Sequence, residues 1–308
     1  MSLANQISPH RARLIMLAGL LALMAGTASG QVLLVADSGA GTIEAFGATG
    51  NDLGAFASGV SLPNGLALDA SGDVYLAAAG PNSIQEYSPN GASLGNFATT
   101  GLDNPMGLAF DTAGNLYVAN FGSSTVEKFS PSGQDLGVFA SANLNGPDSL
   151  AFDASGNLYV ANYWTGAIQV FSPSGSPVTG TFATIANPGD LVRGTNGDFY
   201  VSNQGSHVIE QLSPTGADLG MFASLGANQA VGLAFGADGD LYAAYRNTDT
   251  IEEFSPNGTD LGAFATTGVN TPTFIAFAAV PEPAAWALAA GGVTGVVAWL
   301  RRRRPARA

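Results

Sequence analysis

The sequence predicts an all-β fold, a six-bladed β-propeller with four strands in each blade. Three observations predict it. A Gly-Leu-Ala-Phe-like run recurs, aligned on Pro63, Pro105, Pro147, Pro188, Ala230 and Pro272, with spacings of 42, 42, 41, 42 and 42 residues. Each period holds four short apolar runs divided by Gly, Pro, Asn and Ser, the pattern of strands and turns. The repeating body also begins and ends out of phase with its own repeat. A period of this size with four strands per unit fits a propeller blade. A parallel β-helix needs shorter coils, and a sandwich keeps no such period.

The four strand types follow along the chain. The first reads GLAL from Gly65, GLAF from Gly107, SLAF from Ser149, DLVR from Asp190, GLAF from Gly232 and FIAF from Phe274. The second reads LVAD from Leu34, YLAA from Tyr75, YVAN from Tyr117 and Tyr159, YVSN from Tyr200 and YAAY from Tyr242. The third begins at Ile43, Ile84, Val126, Ile168, Ile209 and Ile251; the fourth ends at Phe56, Phe97, Phe139, Phe182, Phe222 and Phe264. Six of each make six blades. The strands are apolar nearly throughout because neighbouring blades cover both faces of each sheet, and the five tyrosines opening second strands are expected to pack between blades.

The phase predicts how the ring closes. The body starts on a second-type strand at Val32–Ala36 and ends on a first-type strand at Thr273–Ala278. The last strand should therefore join the first three in one composite blade, a non-local contact that forms late. The turns are equally regular. Asp-x-x-Gly-[Asn/Asp] at Asp69, Asp111 and Asp153 suits a hairpin with a left-handed Gly. Ser-Pro-x-Gly from Ser88, Ser130, Ser172, Ser213 and Ser255 suits a type I turn with Pro at its second position.

Composition narrows the rest. The 308 residues include no Cys and are 11% charged and 46% hydrophobic, which argues against disorder. Residues 31–280 carry only Lys128, Arg193 and Arg246 against 22 acidic residues, a net charge of −19. Such a surface repels phosphate backbones, so nucleic acid is excluded as a partner.

The two ends are of another kind. His10, Arg11 and Arg13 precede an apolar run from Leu14 to Ala25, then the small residues Ala28, Ser29 and Gly30. Residues 1–30 thus read as a cleaved signal peptide, with an uncleaved anchor as the alternative. In an exported chain without cysteine, core packing must hold the fold. At the other end, Pro281, Glu282 and Pro283 lead into the apolar run Ala284–Leu300 and then Arg301, Arg302, Arg303 and Arg304. Seventeen residues span about 25 Å as a helix, near the ~30 Å of a bilayer core. Trp286 and Trp299 stand near its ends, and the arginines mark the cytoplasmic side. Residues 280–308 resemble the PEP-CTERM sorting signal of bacterial exported proteins. The resemblance implies recognition by an exosortase, cleavage near Pro281–Pro283, transient anchoring in the inner membrane and delivery to the cell surface or medium. A plain C-terminal anchor is the alternative.

The repeat motifs Pro-x-Gly-[Leu/Ile]-Ala-x-Asp, Gly-Asn-[Leu/Ile]-Tyr-Val-Ala-[Asn/Asp] and Ile-x-x-Phe make residues 31–279 similar to NHL repeats. The likeness is strongest in the blades opened by Pro105 and Pro147. It fades in the blade opened by Pro188, where Arg193 and Gly194 replace an apolar residue and Asp. It implies a six-bladed propeller used for binding and, occasionally, for metal-assisted catalysis.

Candidate chemistry lies where loops converge at the channel. Asn64, Asp148 and Asp190 offer oxygen ligands to Ca²⁺ or Mg²⁺, or else hydrogen-bond loop backbone around a channel. Phe121, Tyr163 and Trp164 lie on neighbouring blades and suit an aromatic platform for a sugar or peptide, or else cover the blade ends. Arg246 faces an anionic group there or pairs with a carboxylate such as Asp249. Asn120, Asn162 and Asn203 recur, as do Asp69, Asp111 and Asp153; recurrence points to turns rather than catalysis. His207, the lone histidine of the body, reads as a solvated loop residue. The enzymatic relatives by fold are propellers of the virginiamycin B lyase and gluconolactonase types. Likeness to the first implies a histidine base with a metal, the role His207 would take. Likeness to the second implies metal held by Glu, Asn and Asp, although no Glu occupies an inner strand here. No zinc ligand set, phosphate loop or catalytic triad is present. The expectation is a monomeric binding or scaffold module for a glycan or protein ligand, without a resident cofactor beyond Ca²⁺ or Mg²⁺. The alternative is a metal-dependent lyase or lactonase.

Overall fold

The computed structural model describes residues 31–178 and 180–279. The signal-peptide and sorting segments, with Pro281, Glu282, Pro283 and Arg301–Arg304, lie outside the described residues. The described region forms six four-stranded antiparallel sheets, the six blades expected from the period. Numbered from the N-terminus, their inner strands are Pro272–Ala278 (blade I), Pro63–Leu68 (II), Pro105–Phe110 (III), Pro147–Phe152 (IV), Pro188–Arg193 (V) and Ala230–Phe235 (VI).

Blade I is the composite predicted from the phase. The C-terminal strand Pro272–Ala278 pairs with Val32–Asp37, with Val32 opposite Ala278 and Asp37 opposite Pro272. The loop closes beside it: Ser38 N donates to Thr271 O, and Asn270 N donates to Asp37 Oδ2 at 2.6 Å.

The interior follows from the repeated side chains. Ile43, Ile84, Val126, Ile168, Ile209 and Ile251 of the third strands are fully buried. In four blades the tyrosine at the second position of the second strand is gripped between two phenylalanines, one from its own outer strand and one from the next blade. Tyr117 meets Phe139 at 4.8 Å and Phe152 at 5.0 Å, both edge to face. Tyr75, Tyr200 and Tyr242 repeat the arrangement. Such pairs add about 0.5–1.5 kcal/mol each beyond burial. Blade V departs from the rule and compensates. Arg193 stands where other blades supply the second ring, and Phe199, one strand further on, takes its place against Tyr159 at 4.3 Å.

The turns carry the predicted hydrogen bonds. Asp111 Oδ1 accepts from the backbone N–H of Ala113 and Asn115, both at 2.9 Å, and Asp69 and Asp153 do the same in their blades. In the Ser-Pro-x-Gly turn, Gly133 N donates to Ser130 O at 2.9 Å. Gly133 holds φ at +79°, and a Cβ there would run into the carbonyl oxygen of Phe97 in the neighbouring blade.

Two details differ from the sequence reading. Outer strands run one or two residues past the expected phenylalanines, to Ser58, Ala98, Ala140, Thr184, Ser224 and Ala265. That of blade IV shrinks to Ala183–Thr184. Where four other blades carry Asp-Leu-Gly and blade II carries Ser93-Leu94-Gly95, blade IV has Pro177-Val178. Proline donates no ladder hydrogen bond, and Pro177 makes only an isolated bridge to Phe171.

Candidate functional site

Inner strands begin two residues before the Gly-Leu-Ala-Phe run, and each meets its partner through a register shift. The shift falls between Pro105 and Leu108 in blade III, between Pro147 and Ser149 in blade IV and between Ala230 and Gly232 in blade VI. A bulge of this kind re-aims side chains. The inner-strand starts also pair with the second-strand ends: Pro105 with Asn120, Pro147 with Asn162, Ala230 with Tyr245. The residues after each start and the loops after each second strand therefore share one rim of the ring.

On that rim lies a cavity of about 160 Å³, lined by Met106, Phe121, Asp148, Tyr163, Trp164, Gln204, Val231, Arg246, Thr273 and Phe274. It unites five of the candidates named from sequence: Phe121, Tyr163, Trp164, Arg246 and Asp148. The three aromatics touch one another across blades III and IV. Phe121 lies 6.3 Å from Tyr163 and 5.8 Å from Trp164, and Tyr163 stands edge-on to Trp164 at 4.9 Å. Gly146, at φ +62°, seats the indole, since a Cβ there would strike the Trp164 ring. Trp164 is nevertheless 62% exposed. An exposed indole braced by two rings offers a flat apolar face with a polar N–H handle.

Asp148 is the buried acid of the cavity, 7% exposed, and its Oδ1 has no hydrogen-bond partner. Burial, reinforced by the charge of Asp190 and opposed by Arg246, pushes its carboxyl up to about 7. Arg246 is exposed and, among the described residues, makes neither an ion pair nor a hydrogen bond. Asp249, its nearest acid in sequence, accepts from Thr271 N at 2.7 Å instead.

Asn64 and Asp190 do not line the cavity. Asp190 is a cross-brace between three inner strands. Its Oδ1 accepts from Ser149 Oγ of blade IV at 2.6 Å and from Leu191 N at 2.8 Å; its Oδ2 accepts from Leu233 N of blade VI at 2.8 Å. Burial raises its carboxyl to about 6 against the pull of these donors. The donor set does not fit Ca²⁺ or Mg²⁺, which take six or more oxygens: both Asp190 oxygens are engaged, and neither Asn64 nor Asp190 lines the cavity that holds Asp148.

The recurrent polar residues do structural work. Asn120 accepts from Asp103 N at 3.1 Å and donates to Gly101 O at 2.7 Å, pinning the incoming loop, and Asn162 accepts from Asn145 N at 2.9 Å. Asn203 accepts from the N–H groups of Gly205 and Ser206. His207 is half-buried at φ +56°, with Nδ1 2.9 Å from Asn228 O. Sequence reasoning missed Ser149 and Phe274. The available signal was the third position of the inner-strand motif, where Gly65, Gly107 and Gly232 give way to Ser149, Asp190 and Phe274. Gly is required where the next inner strand passes close: a Cβ on Gly107 would lie 2.7 Å from Asp148 O.

No family model matches the sequence, and no curated protein matches it. Solved structures do. A chain of a nidogen/laminin complex is similar with a TM-score of 0.71 at 19% identity, over 81% of this chain and 98% of that one. Virginiamycin B lyase from Staphylococcus aureus is similar with a TM-score of 0.56 at 15% identity, over 69% and 73%. A protein proposed to be a gluconolactonase gives 0.59 at 17%, over 70% and 82%. At these identities the likeness establishes the propeller fold alone.

Proposed function

We propose that this chain is an exported binding module, delivered to the cell surface or medium by exosortase-type processing, and that its ligand seat is the rim cavity. The observation that carries the reading is the meeting of Phe121, Tyr163 and Trp164, from two adjacent blades, over a cavity that also holds Asp148 and Arg246. Aromatic walls with a few convergent polar groups are what small-ligand sites are made of. The export half of the reading rests on the sequence signals at the two ends. The test is a glycan and peptide array probed with the protein and with Trp164→Ala. Binding lost in the variant supports the seat; binding kept unchanged removes it.

A second reading, a lyase or lactonase, draws on Asp148. A buried carboxylate with a free oxygen and a titration point near neutrality is suited to take a proton from a bound substrate. Likeness in fold to virginiamycin B lyase raises the question without answering it. Turnover of an activated lactone that disappears in Asp148→Asn would favour it; no turnover in the wild type would remove it.

A further inference from the structure

We infer that the rim cavity selects a carboxylated sugar, a uronate unit within a glycan, over its neutral counterpart. This rests on the seat proposed above and names its ligand class.

Three features converge on that chemistry. The first is Arg246. In a body with 22 acidic residues and three basic ones, a cation has many carboxylates to meet. Lys128 does meet one, Asp111, at 3.8 Å. Among the described residues Arg193 and Arg246 form no ion pair; of the two, Arg246 lies on the cavity wall, where it feels Asp148 through charge alone. A guanidinium presents a planar fork that matches a carboxylate with two parallel N–H···O bonds. Left unpaired beside an aromatic seat, it is an anion subsite.

The second is Asp148, more than nine-tenths buried on the same wall with Oδ1 lacking a partner. A buried polar atom without a hydrogen bond is costly unless a ligand completes it. Oδ1 is sealed from solvent, but Oδ2 of the same carboxyl is not, and it too has no donor among the described residues, so a sugar hydroxyl supplies one there. Opposite charges on one wall thus ask for a ligand that is both an anion and a donor, and a uronate is both.

The third is shape. The cavity, at about 160 Å³, is below the ~300–1,000 Å³ of sites that enclose a drug-sized molecule. It holds one ring and leaves the rest of a chain outside, against the exposed face of Trp164. The net charge of −19 repels a dense polyanion at long range. A glycan with isolated carboxylates is therefore favoured over a continuous polyuronate.

The experiment measures affinity of the full-length chain in detergent for matched oligosaccharides. Members of a pair differ only in oxidation of one terminal primary alcohol to carboxylate, in glucose, galactose and mannose series, beside an acidic tetrapeptide. The expected result is at least about tenfold tighter binding of the oxidised member of one pair. Arg246→Gln should bring that pair within about twofold, and Trp164→Ala should weaken both members. Arg246 is exposed and unpaired, so its variant does not threaten folding. Equal binding within every pair, still lost in Trp164→Ala, overturns the uronate selection and leaves the seat standing. Binding of the peptide but no sugar overturns the sugar class and also leaves the seat. No binding of any probe, indifferent to Trp164→Ala, overturns both.

Discussion

The outer edge of the ring and the cavity rim are built from the same repeat, yet they treat it in opposite ways. At the outer edge, blades I, III, V and VI use one device. Asp52, Asp135, Asp218 and Asp260 each accept from the N–H of a glycine two residues on, and that glycine sits at positive φ. The register shifts there, so every such edge strand bends and carries a charge. Leu94, Leu136, Leu219 and Leu261, each 50–55% exposed, lie on these strands or on that of blade II. Bulges and charges keep such edges from pairing with other chains. At the rim the bulge recurs but the side chains it aims do not: the six positions after the inner-strand starts are Thr273, Asn64, Met106, Asp148, Gly189 and Val231. What is alike in every blade holds the ring together, and what differs gives it a binding surface.

The largest effect should come from the repeated core. Phe129→Ala removes a fully buried ring and should cost about 3–5 kcal/mol by denaturant unfolding, while ligand affinity of the folded fraction stays as it was. A core variant that abolishes affinity while remaining folded would break the division.

Asp190→Ala tests the border between the two regions. It leaves Leu233 N and the Ser149 hydroxyl proton without their acceptor, while Leu191 N keeps Ser149 Oγ at 3.1 Å, and should cost about 2–4 kcal/mol. Because Asp190 does not line the cavity, affinity should fall less than in Trp164→Ala.

Asp148→Asn should act through pH. The carboxyls of Asp148 and Asp190 are raised in the folded protein, so the native state holds protons that the unfolded chain has released. Stability should then be greatest near pH 4 and fall as pH rises towards 7. Asp148→Asn should flatten this slope and be more stable than the wild type at pH 8, by about 1–3 kcal/mol. Urea midpoints at pH 5 and pH 8 measure it; an unchanged slope would mean that Asp148 is not held protonated by burial.

The smallest change in stability should accompany the largest change in binding. Trp164→Ala removes an exposed ring and should shift unfolding by less than about 0.5 kcal/mol.

The same division explains what was legible in the sequence. Blade number, strand order, the composite closure and the tyrosine stacks were readable because each rests on a residue type repeated at a fixed spacing. Phe121, Tyr163, Trp164, Asp148 and Arg246 could be named as departures. An aromatic platform with Arg246 beside it was readable too; that Asp148 joins it in one cavity while Asn64 and Asp190 do not was hidden, because it depends on bulges and on side chains reaching between blades. Asp190 shows the limit most clearly. As a residue type it is a ligand candidate; only three hydrogen-bond partners from three strands make it a brace. The replacement of one stacking ring by Phe199 was hidden likewise, since it compensates Arg193 from a different strand.

The pairing of Val32 with Ala278 has a consequence for attachment. Inner strands start at the rim that carries the cavity, so Ala278, at the far end of its strand, and Val32 beside it lie at the opposite rim. Gln31 bears this out by accepting from Ala237 N, in the turn that follows an inner strand. Both ends of the propeller thus leave from the side away from the ligand seat. The propeller is entered and left at one rim, by neighbouring strands, and the loops of the ligand seat are free to vary at the other.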